Sequence, residues 1–142
     1  MKAWCDRNLS ICSLYFGLCI TEAAFHTELR HLNLPREDWP KFLSTKRANA
    51  TTNFFEKGDG SHCAIVCMHP PGGTVDGIQI AALLVHEAVH IWQRHCNAIG
   101  EDNPSIEYEA YGIQAISQEL MNKYLELSRS KTKAVRNRKG KT

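Results

Sequence analysis

The run over residues 77–96 constrains this chain more than any other segment: Ile80, Leu84, Val85, Ala88, Val89 and Trp92 recur at helical spacing with few polar positions between them. Periodicity of this kind predicts a helix of about 30 Å, buried on most of its sides. Asp76 with Gln79 three positions on reads as its start, and residues 97–104 (NAIGEDNP) break it. Ser105 then caps a second helix that the pattern carries to about Leu127.

Three polar residues interrupt the apolar helix: His86, Glu87 and His90. Histidines four residues apart stand one turn above each other on one face, the separation at which both imidazoles can bind a single zinc ion. Glu87 is turned about 100° from His86 and can reach a metal-bound water without displacing a ligand. Zinc lowers the pKa of such a water to about 7, and the carboxylate can take its proton and pass it to a leaving amine. Buried polar groups need partners, and in a helix buried on most sides a metal would supply them.

A catalytic zinc site takes three protein ligands and leaves a fourth position to water. The third is expected from the following helix, folded back by the break at 97–104. Glu107 and Glu109 are the acids there; Glu107 shares a face with Ala110 and Tyr111, Glu109 with Gly112 and Ile113. Glu107 is the better placed of the two, and Glu101 and Asp102 in the turn are weaker candidates. Tyr108, Tyr111 and His95 are candidate donors to an oxyanion, with no spacing that selects among them.

An HExxH helix, a short connection and a second helix supplying Glu resembles the glutamate-type zinc metallopeptidases, the gluzincins. The wider stretches LLVHEAVHIWQ (83–93) and EYEAYGIQ (107–114) are similar to small, largely uncharacterised metallopeptidases encoded by bacteriophages. The resemblance covers residues from about 54 to 125. It implies a zinc-dependent peptidase with His86, His90 and Glu107 as ligands and Glu87 as general base, acting on a peptide or protein of unspecified identity. In larger gluzincins an extra domain builds much of the substrate cleft, and the resemblance over these residues does not extend to such a domain.

Elsewhere the pattern is less directive. Leu14, Leu18, Phe25, Leu29 and Leu32 fit a core-facing helix over residues 10–32, with Cys5, Cys12 and Cys19 at seven-residue steps on one face. Trp39, in the turn-rich PREDWP, is expected to plug into the core. Phe54 and Phe55 open a short strand, a Gly-rich turn follows, and HCAIVCMH (62–69) reads as a buried strand, together a hairpin. An edge of that second strand beside the metal helix could hold an extended substrate by strand addition.

At 142 residues the chain has the length of one domain. Its six cysteines sit in apolar surroundings, which favours buried thiols and a cytoplasmic location over a disulfide framework or a second zinc site from Cys63, Cys67 and His69. No apolar run reaches the ~18 residues of a membrane helix, and Asp6 spoils the leader of a signal peptide. The net charge of +2 is split: residues 129–142 hold seven Lys/Arg and no acid, while ten Lys/Arg face all fifteen Asp/Glu in residues 1–128, leaving −5. Composition predicts a disordered basic tail there, able to bind a phosphate backbone or simply solvated; without aromatic residues it offers no base stacking.

These readings predict a single α+β domain over residues 1–128, mainly helical and zincin-like, with a small sheet beside the HExxH helix. The expected activity is zinc-dependent hydrolysis of a peptide bond. The alternative is a non-catalytic binding or accessory protein that zinc stabilises, associated with nucleic acid through residues 129–142.

Overall fold

A computed structural model describes residues 3–6, 12–56, 59–69 and 77–139, with residues 131–139 as backbone only. The chain is α+β: strand β1 (Tyr15–Cys19), helix α1 (Glu22–His31), a single 3-10 turn (Arg36–Asp38), strands β2 (Ala50–Glu56) and β3 (His62–Met68), then helices α2 (Gly77–Ile99) and α3 (Ile106–Lys139). The sheet order is β1-β3-β2, with β1 parallel and β2 antiparallel to β3.

The expected hairpin forms, but β2 starts at Ala50, four residues before Phe54, so the two phenylalanines lie near its end rather than opening it: Glu56 pairs with His62 and Ala50 with Met68, and Gly60 in the turn has φ 79, a conformation glycine adopts without steric cost. Strand alternation then sorts the core. Ala64, Val66 and Met68 point with Leu18 and Phe16 toward α2 and α3, while Ile65, Cys67 and Cys19 point toward α1 and Phe42. The sheet is thus a middle layer, covered on one face by the α2–α3 pair and on the other by α1 and its flanking loop. Trp39 is half-buried on the α1 side, where its indole N–H donates to the Leu34 carbonyl at 2.9 Å.

Two expectations change here. Residues 10–32 do not make one helix; a strand precedes α1, whose first turn is capped by Thr21 Oγ1 accepting the Ala24 N–H at 3.2 Å. The apolar residues that suggested a helix also suit a strand. Gly17 is better used there than in a helix interior: a Cβ would lie 2.8 Å from the Ala3 carbonyl oxygen, and the Leu18 N–H donates to that same oxygen. Residues 3–5 therefore lie against the outer edge of β1. The other edge strand is β2, not the hydrophobic β3, which is paired on both sides and has no edge to offer a substrate.

The second expectation concerns the end of the chain. The backbone of α3 runs past Leu127 to Lys139 as helix rather than giving way to a disordered tail at 129. Arg and Lys are good helix formers, neither Gly nor Pro interrupts residues 106–139 apart from Gly112, and cations near a helix C-terminus oppose its dipole favourably. Asp76, expected to start α2, and the PPGG turn before it lie outside the described residues. Among the described residues no helix is long and apolar enough to cross a membrane.

Candidate metal centre

α2 has one buried stripe, not burial on most sides. Leu84, Ala88, Ile91 and His95 face the core with Glu87 at the margin, whereas His86 and His90 are exposed and Val85 is 38% exposed. The sequence offered no way to tell a helix lying on a sheet from one surrounded by protein. The burial reason for a metal consequently falls away, and the geometry of the donors has to stand alone.

That geometry is favourable for the pair. His86 Nε2 and His90 Nε2 approach to 3.1 Å, with ring centroids 4.8 Å apart and planes at 85°. Two imidazoles on one tetrahedral zinc, with Zn–N of about 2.0–2.1 Å, place their nitrogens about 3.3 Å apart. The separation is close to that of two ligands on one ion, although here the two rings meet as a hydrogen bond, so one Nε2 would have to give up its proton to bind a metal.

Glu87 is placed by a contact that sequence reasoning missed. Its carboxylate is buried, with 4% of the residue exposed, and accepts a hydrogen bond from Thr52 Oγ1 of β2 at 2.6 Å. Thr52 lies in a polar run that gave no periodic signal, yet its register opposite Val66 puts it on the α2 face of the sheet. About two turns along α2, the Arg94 guanidinium stands 5.4 Å over the Phe54 ring of the same strand. At 100° per residue, Glu87 and Arg94 lie within about 20° of each other, with His90 and His86 about 60° and 100° farther round, away from the buried stripe. The histidine pair is therefore beside the β2 edge.

Glu107 and Glu109 are not brought to that pair. Both are exposed in the first turn of α3, and among the described residues no three His, Cys, Asp or Glu side chains form a group able to hold a metal. Two features of the hairpin explain it. α2 continues nine residues beyond His90 before the turn, so the start of α3 lies level with the end of α2 rather than with the histidines. α3 also packs on the wrong side: Gly112 and Tyr108 meet Trp92, with Trp92 and Tyr108 ring centroids 4.9 Å apart. Trp92 is about 160° around the helix from His90.

The proposed oxyanion donors are likewise elsewhere. Tyr111 is 63% exposed, and His95 and Tyr108 are engaged with each other at 3.2 Å in the α2–α3 interface. His95 is 3% exposed; its Nδ1 lies 3.1 Å from the Ser13 backbone N and 3.0 Å from Ser13 Oγ. It is a structural histidine tying the approach to β1 onto the helices. Cys63 and Cys67 are buried in β3, and exposed His69 packs against Phe42 in a tilted pair with ring centroids 4.7 Å apart.

Compared with known families, curated proteins and solved structures, the chain matches none.

Proposed function

We propose that this protein is a zinc-dependent metallohydrolase that cleaves a peptide bond, with His86 and His90 as metal donors and Glu87 as general base. The observation that carries the reading is the convergence of the two Nε2 atoms to 3.1 Å on an exposed face of α2, with Glu87 on the same helical turn. A zinc ion held there supplies Lewis acidity toward a carbonyl group and toward water. Glu87 takes a proton from the attacking water and returns it to the departing amine nitrogen. Thr52 holds the carboxylate in one orientation by donating to one of its oxygens. Among the described residues this arrangement provides two donors, and Glu107 is not one of them.

Metal analysis of protein prepared without chelator tests the reading. About one zinc per chain is expected, lost in His86→Ala and in His90→Ala and retained in Glu107→Gln. Glu87→Gln should keep the zinc and lose peptide hydrolysis. Folded wild-type protein that takes up no zinc would overturn the proposal, and loss of zinc in Glu107→Gln would return the third ligand to α3.

One observation favours a second reading, a non-catalytic protein whose HExxH helix is merely braced. Glu87 is buried and spends a hydrogen bond on Thr52, as a structural carboxylate joining α2 to β2 would. Thr52→Val separates the two, because it preserves shape and removes the donor, at a cost of about 1–3 kcal/mol for the carboxylate left unpartnered. In the catalytic reading Glu87→Gln, still able to accept from Thr52, leaves the denaturation midpoint near wild type while abolishing turnover. In the structural reading neither variant alters any hydrolytic rate.

A further inference from the structure

The last buried side chain of α3 among the described residues is Leu127, yet its backbone continues as helix to Lys139. Those twelve further residues span about 18 Å at helical rise. Residues 129–139 carry Arg129, Lys131, Lys133, Arg136, Arg138 and Lys139 with no acid, whereas residues 1–128 carry a net −5. Positions 129, 133 and 136 fall on one face of the helix, within about 60° of arc, and 139 lies next to them. The end of α3 opposite to its first turn is thus a helical segment of one charge sign.

We propose that residues 129–139 are an electrostatic docking arm for the phosphate backbone of duplex nucleic acid, binding without sequence preference. Six cations without an acid fit a dense polyanion, and duplex DNA presents one negative charge per about 1.7 Å of axis. A helix that settles into a membrane surface needs an apolar face with large side chains; residues 129–139 offer only Ala134 and Val135. Reading of bases is not part of the proposal, since the arm has no aromatic residue to stack. The net-negative body repels phosphate, so the arm has to carry the attraction. None of this depends on the metal centre.

The test uses the full chain and a fluorescently labelled 20-base-pair DNA duplex, with binding followed by anisotropy across salt concentrations. If six phosphates are neutralised, affinity falls about a thousandfold between 50 and 200 mM salt. The triple variant Arg129→Gln, Lys133→Gln, Arg136→Gln keeps helix propensity, and an unchanged circular dichroism spectrum and denaturation midpoint check that it folds as the wild type does. With three contacts remaining, the same salt change should cost only about fortyfold. AT-rich and GC-rich duplexes should bind alike. Wild type that does not bind, or a variant that binds with the unchanged salt slope, overturns the proposal. So does tighter binding to phosphatidylserine vesicles than to duplex, which would make the partner a membrane. Salt-reversible growth in particle mass without DNA also overturns it, because the arm would then be docking on the acidic body of a second copy.

Discussion

His95 accepts the Ser13 backbone N–H at Nδ1, so the hydrogen-bond network places its own proton on Nε2, where it is donated to Tyr108 Oη. Burial beneath Trp92, whose ring centroid is 5.1 Å away, holds the imidazole pKa below the ordinary histidine value. Protonation would set an Nδ1–H against the Ser13 N–H and break the tie. Because the folded pKa lies below the unfolded one, the unfolded chain binds more protons below about pH 6.5. The stabilisation from neutral His95 is therefore complete above that pH and declines as pH falls toward the folded pKa. Urea denaturation between pH 7.5 and 5 should show this as a steeper loss in wild type than in His95→Gln; parallel curves would remove the role. Sequence reading placed His95 on the far side of α2 from His86, correctly, but had no means of supplying Ser13, which is 82 positions distant.

At the scale of elements, the α2–α3 pair is organised around Gly112. A Cβ there would fall 2.1 Å from Trp92 Cζ3, and Trp92 is 1% exposed and hemmed in by Tyr108 and His95. Gly112→Ala thus sets two effects against each other. Alanine gains about 1 kcal/mol of helix propensity over glycine. Overpacking a filled interface costs about 1–3 kcal/mol, and a separation far inside van der Waals contact puts this site at the upper end. Net destabilisation of about 1–2 kcal/mol is expected, read as a lower midpoint of denaturation with unchanged slope. A more stable variant would show that the two helices slide apart freely. Helix existence was legible from periodicity, and so was the α3 start: Tyr108 N–H reaches Ser105 Oγ at 3.4 Å. Which faces of the two helices meet was not. Both faces of α3 that the spacing made available, one with Glu107 and one with Glu109, bear small residues, and only packing against Trp92 selects Gly112 as the contact.

Across the whole molecule, the three-layer arrangement buries thiols on both faces of the sheet. Cys19 and Cys67, in register across β1 and β3, are fully buried. Desolvation pushes the Cys19 thiol up to about 12, does the same to half-buried Cys5, and raises Cys67 further. Since the thiolate is the reactive form, Ellman's reagent at neutral pH should modify Cys19 and Cys67 only as fast as the fold opens. Their reaction should become immediate in denaturant. Rapid labelling of both in the native protein would contradict the layered core. Cysteine placement in apolar runs had already suggested buried thiols, a reading that needs only local hydrophobicity.

The same distinction runs through the candidate centre. Sequence alone determined the α2 helix, the β2–β3 hairpin, and the one-turn stacking of His86 over His90, because each follows from contacts between residues near in sequence and from fixed backbone periods. It also determined that charge would concentrate at the C-terminal end. Only the tertiary structure decided that the histidines are exposed, that Thr52 holds Glu87, and that Glu107 stands at the other end and on the other side of the helix pair. Those outcomes turn on where a sheet lies against α2 and how far α2 runs before it reverses. Small shifts in length and rotation, neutral to the local pattern, move a side chain by a full helix diameter.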